Sequence, residues 1–129
     1  MHENIFRDTL LLFGYCVLIF YVSHQPSLPI AMTFLHQDKL MHAGTYAVLA
    51  ILAWRSFNHQ STMQPKGVLI SAFIFTSSYG LSDEFHQSFI IGRDADAWDW
   101  LADSVGALLA LVWIKYKTGA EFKPKWMKT

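Results

Sequence analysis

Four apolar runs divide the chain, at 9–22, 43–54, 67–81 and 101–114, the last broken only by Asp103 and Ser104. Leu, Ala and Ile recur in them without the strict alternation of a half-buried strand, so each run predicts a helix. The stretches between them, "SHQPSLP", "RSFNHQSTMQPKG" and "IIGRDADA", carry turn residues, and Pro26, Pro29 and Pro65 punctuate them. The expectation is an all-α chain: one domain over 1–129, without internal repeats, with helices at about 5–23, 38–55, 66–84 and 97–116.

Each run is shorter than the roughly 20 clean apolar residues of a typical span. Extension into flanking polar residues removes that shortfall, because 5–23 as a helix covers about 28 Å at roughly 1.5 Å per residue. Tyr21, Trp54, Trp98, Trp100, Trp113 and Tyr116 fall near run ends, where interfacial aromatics belong. With the N-terminus inside, Arg7, Arg55, Lys66, Lys115, Lys117, Lys123, Lys125 and Lys128 are cytoplasmic, and only Lys39 and Arg93 fall outside. That asymmetry obeys the positive-inside rule and has no cause in a soluble bundle. The expected architecture is therefore an integral membrane four-helix bundle with both termini cytoplasmic. The start "MHENIFRDTL" lacks a basic n-region, so run one is expected to be an uncleaved span.

Composition narrows the function. The formal net charge is zero, which argues against a nucleic-acid surface. One cysteine, Cys16, permits no intrachain disulfide and no cysteine metal motif. The tail "KTGAEFKPKWMKT" reads as a basic end that touches anionic lipid through its lysines and Trp126.

The acids are unevenly placed. Asp83, Glu84, Asp94, Asp96, Asp99 and Asp103 lie within one short stretch of an otherwise apolar protein. Asp38, His42 and Tyr46 are four apart and share a face of helix two. Asp83 and Glu84 stand four and three residues before Gln87. Asp96, Asp99, Asp103 and Gly106 form one stripe at the start of helix four, with Gly106 open to close helix approach. Three helices thus bring polar stripes to the outer end of a bundle, where they must turn inward and pair. Asp96 and Asp99 also suit a helix N-terminus. Asp103 lies deeper than a cap needs to and calls for a partner, Arg93 or Lys39. His24, His36, His59 and His86 read as exposed loop histidines.

At these residues the chain resembles the VanZ-like membrane proteins. Four ordered pieces carry the resemblance, from about Ser23 to Gly106: "SHQPS"; "DKLMHAGTY", with Asp38, Lys39, His42 and Tyr46; "DEFHQSFIIGR", with Asp83, Glu84, Gln87, Gly92 and Arg93; and "DWLADSVG", with Asp99, Asp103 and Gly106. Asp103 stands where the family pattern more often has Asn, and Ile91 stands where proline often precedes Gly-Arg. The resemblance implies a multi-pass protein of the bacterial inner (cytoplasmic) membrane. The family's named member is associated with teicoplanin resistance, which raises a cell-envelope role.

Three functional classes remain. A binding protein would hold a lipid headgroup, a lipid-linked envelope precursor or a lipoglycopeptide, using Asp38, Lys39, His42, Tyr46, Asp83, Glu84, Gln87, Arg93, Asp99 and Asp103. Lys39 and Arg93 would meet phosphate or carboxylate. An enzyme would use His42, Glu84 and Asp99 for acid–base work in hydrolysis or group transfer on a lipid-linked phosphate or sugar. A divalent cation could sit among Asp38, His42, Glu84, Asp99 and Asp103. Neither a nucleophile-elbow serine nor a His-Glu-x-x-His motif is present. In the third class the polar residues only fix helix register, and Glu84→Ala would lower folded yield.

Overall fold

The structure, a computed structural model, describes residues 2–26 and 30–119. Pro29 and the tail residues Lys123, Lys125, Trp126 and Lys128 lie outside the described residues. The described chain is all-α, as expected: α1 (His2–Ser23), α2 (Gln37–Gln60), α3 (Pro65–Gln87) and α4 (Ala97–Lys117).

Local chemistry explains the helix starts. Asp96 caps α4, its Oδ1 accepting from the Trp98 N–H at 2.9 Å. Pro65 opens α3, where its missing N–H costs nothing. Before α2 the chain turns through His36 at φ 62. The Gln37 side chain reaches back to accept from the Thr33 N–H (2.7 Å) and hydroxyl (2.9 Å).

The helices alternate in direction. Ser23, His42, Gln87 and Asp99 gather at one end, and Asp8 meets Arg55 and His59 at the other. The most extensive packing is between α2 and α4, while α1 leans on α2, touches α3 little and does not pack on α4. Small residues make the α2–α4 approach possible: Ala50, Ala53 and Ala107 are fully buried. A methyl group at Gly106 would run into the Ala43 backbone, so the close approach expected of this glycine is present.

Residue placement inverts that of a water-soluble bundle. Phe6, Phe13, Leu81, Phe85, Leu109 and Trp113 are exposed, whereas Asp8, Thr76, Asp83, Glu84, Asp99 and Asp103 are buried. Two helices, over Asn4–Ser23 and Ala97–Lys117, are long and apolar enough to cross a membrane. Only 17% and 33% of their apolar windows are buried, so these residues mostly face outward rather than build a core. Among the described residues, α2 and α3 do not reach the same apolar level.

Candidate functional site: a polar cup at one end of the bundle

The cup begins with Lys39, on the first turn of α2. Its Nζ donates to Asp99 (2.6 Å), Asp96 (2.7 Å) and Asp38 (2.9 Å). These three acids come from α2, from the turn before α4 and from α4, so one ammonium ties both helix starts together. Asp96 therefore does two things, capping α4 with one oxygen and holding Lys39 with the other. The Lys39 ammonium keeps the Asp96 carboxyl below the usual carboxylate range.

One turn deeper, His42 lies between two acids of α4. Its Nδ1 is 2.9 Å from Asp103 Oδ1, and its Nε2 is 3.6 Å from Asp99 Oδ2. Asp103 is wholly buried, and its partner is His42, not Arg93 or Lys39. The reason is geometric: the tight α2–α4 crossing at Gly106 brings the His42 face of α2 onto the Asp103 stripe. Tyr46, the next residue on that face, donates to Asp83 Oδ2 at 3.2 Å. Gln87 donates to the same oxygen (3.3 Å) and to Ser23 Oγ at the end of α1 (3.1 Å).

Among the described residues, Glu84 pairs with no lysine or arginine. Its Oε2 accepts from the Asp96 N–H at 2.8 Å, anchoring the turn before α4 to α3. Its Oε1 is buried without a partner, and so is Asp103 Oδ2. One ligand atom from each of His42, Glu84 and Asp103 falls within 4.8 Å of the others. Asp38 and Asp99, the other acids considered as metal ligands, face Lys39 instead.

Arg93 stands apart. The turn before it passes through Gly92 at φ +85, where a side chain would sit 3.3 Å from the Pro26 carbonyl oxygen. The "SHQP" and "GR" motifs are therefore neighbours in space. Among the described residues no carboxylate lies within ion-pair distance of Arg93, and its Nε is buried without a hydrogen bond. Its side chain lines a cavity of about 210 Å³ whose walls are Leu18, Ile19 and Val22 on one side and His42, Tyr46, Asp83 and Gln87 on the other.

Ten residues were expected at this site, and the structure brings them to one end of the bundle. Lys39 and Arg93, expected to act alike, differ: the first is committed to three protein carboxylates, and the second has no carboxylate partner among the described residues.

A second cluster, at the opposite end, escaped the sequence reading. Asp8 is 1% exposed and is held by Arg55 (2.9 Å), His59 (3.1 Å) and Arg7 (3.2 Å). Thr9, Ser56 and Gln60 hydrogen-bond beside it. His59 is thus an ion-pair partner rather than a free loop residue. His24 is exposed in the turn after α1, as expected, whereas His86 is half-buried on α3; the two rings stack on each other and both stack with Phe20. The available signal was the spacing of Arg55 with His59 and Ser56 with Gln60, each pair one helical turn apart.

An apolar exterior, two helices long and apolar enough to cross a membrane and acids turned inward at one end are the features of this small all-α bundle with a polar cup. A family model described as VanZ/LLP1 matches residues 5–118, and the chain belongs to the VanZ/LLP1 family. No curated protein and no solved structure matches the chain.

Proposed function

We propose that this protein is a four-span inner-membrane protein that binds the anionic head of an amphiphile, a phospholipid or a lipid-linked envelope precursor, in its outward-facing cup. The observation that carries the reading is the unpaired Arg93 guanidinium beside a cavity apolar on the α1 side and polar on the other. A guanidinium is a bidentate fork for phosphate, and desolvation strengthens that pairing. The size is consistent. About 210 Å³ is below the roughly 300–1,000 Å³ of pockets that enclose drug-sized molecules. It takes a headgroup and leaves the acyl chains outside, against exposed α1 residues such as Phe13, Val17 and Phe20. The orientation follows from positive charge: Arg7, Arg55, Lys66, Lys115 and Lys117 lie on the helix ends away from the cup.

Native mass spectrometry of wild type and Arg93→Gln tests this. Both proteins are reconstituted with phosphatidylglycerol, phosphatidylcholine or a polyprenyl phosphate and then released from detergent. Wild type is expected to retain one anionic lipid and Arg93→Gln to lose it. Equal retention by both proteins, or none by wild type, refutes the reading. Teicoplanin in place of lipid tests the resistance-like role.

One observation favours a second reading, hydrolysis or group transfer on a lipid-linked phosphate or sugar. His42 lies at the cavity wall between Asp103 and Asp99, a setting that can take and return a proton. Turnover of a short-chain polyprenyl pyrophosphate, abolished by His42→Gln in folded protein, is the expected result, and no turnover by wild type rejects it.

A further inference from the structure

We infer that His42, Glu84 and Asp103 form a binding site for one divalent cation, at the point where α2, α3 and α4 meet behind the cavity. The site is independent of the lipid reading, because none of its ligands is Arg93.

Three observations converge on it. The first is spacing. One nitrogen of His42 and one oxygen each of Glu84 and Asp103 lie within 4.8 Å of one another. Ligands about 2.1 Å from a shared ion lie about 3 to 4 Å apart, so a small inward movement closes the set. The second is orphaned oxygen. Glu84 is 5% exposed and Asp103 0%, yet Glu84 Oε1 and Asp103 Oδ2 have no hydrogen-bond partner. Buried carboxylate oxygens without donors are costly, and a cation is the partner that satisfies two at once.

The third observation is charge. Among the described residues no lysine or arginine reaches Asp83, Glu84 or Asp103. Tyr46 and Gln87 give Asp83 neutral hydrogen bonds only. Two buried acids without a lysine or arginine partner, Glu84 and Asp103, thus share one imidazole.

The backbone leaves room for this arrangement. A methyl group at Gly80 would sit 2.8 Å from Asp103 Oδ2 and 3.2 Å from the Tyr46 ring. Glycine at that turn of α3 is what lets the Asp103 carboxylate lie against the helix. The same helix delivers Glu84 one turn later.

The donor set indicates the ion. Two hard oxygens with one imidazole nitrogen suit Zn²⁺ or Mn²⁺ better than Ca²⁺, which prefers an all-oxygen shell. Lys39 engages Asp38 and one oxygen of Asp99, so the ligands are the three residues His42, Glu84 and Asp103, which leave positions open to water or to a phosphate oxygen from the adjoining cavity. His42 would link the two sites, since it lines the cavity as well.

The test uses the full chain in detergent, stripped with chelator and reloaded with Zn²⁺ or Mn²⁺. Equilibrium dialysis with elemental analysis is expected to find one ion per chain. Glu84→Gln and Asp103→Asn, which keep shape and remove charge, are expected to weaken binding by more than about tenfold. Asp94→Asn, an exposed acid outside the site, is expected to leave it unchanged. Electron paramagnetic resonance of Mn²⁺-loaded wild type is expected to show coupling to one imidazole nitrogen, a readout that does not depend on any variant folding. Wild type without a stoichiometric ion overturns the proposal and leaves protonated carboxyl groups as the means of neutralisation. An ion that lacks nitrogen coupling, or that binds Glu84→Gln as tightly as wild type, overturns it too.

Discussion

Replacing Lys39 by methionine should separate a structural cation from a ligand-binding one. Its ammonium holds three carboxylates at 2.6, 2.7 and 2.9 Å. The Asp38 and Asp96 side chains are 41% and 37% exposed, so solvent screens both pairs and they add little to the loss. Asp99 is 13% exposed, and Lys39 itself 24%. Removing one partner of a buried pair costs about 3–5 kcal/mol, and the partial exposure here points to the lower end. The expected loss for Lys39→Met is therefore about 3–4 kcal/mol. Reversible unfolding by SDS in mixed micelles measures it. The double variant Lys39→Met/Asp99→Asn should recover about half, because the stranded acid is then neutral. Folded Lys39→Met should still retain anionic lipid, since Arg93 makes that contact. A loss below about 1 kcal/mol would refute the structural assignment. A normally stable Lys39→Met that no longer holds lipid would show that Lys39 itself meets the headgroup.

Other consequences are open to direct measurement. Gly106→Ala should destabilise the bundle by about 1–3 kcal/mol by forcing α2 and α4 apart, whereas Gly14→Ala, with nothing within 4 Å of the added methyl, should be neutral or slightly stabilising; the same SDS titration compares them, and equal effects would contradict the close approach. Asp8→Ala should cost about 3 kcal/mol, because it strands Arg55 and His59 where α1 docks on α2; cysteine crosslinking between the two helices should fall with it, and unchanged crosslinking would place the docking energy elsewhere. Asp96 is held below its ordinary range by Lys39, so its contribution is complete above about pH 4 and is lost as pH falls through the lowered value. Trp98 and Trp100 fluorescence should report that acid limb, and an Asp96→Asn protein with the same limb would assign it to another group.

Much of this protein was legible in one dimension. Helices at the four apolar runs follow from hydrophobic pattern and turn residues, which act within a few residues of each other. The gathering of Asp38, His42, Tyr46, Glu84, Asp99 and Asp103 at one end follows from helical period and alternating direction alone. Gly106 announced a close helix approach, and the structure names α2 as the neighbour. Which groups pair could not be read the same way. Lys39 and Arg93 look equivalent along the chain, yet one reaches acids 57 and 60 residues away and the other reaches none among the described residues. Asp8 drew no notice along the chain, and Arg55 served only as a marker of topology, until the α1–α2 contact joined them. Spacing along a helix determines the face a residue occupies. The choice of partner depends on how each helix is rotated and how closely it crosses its neighbour, and small buried residues on α2, α3 and α4 set that jointly.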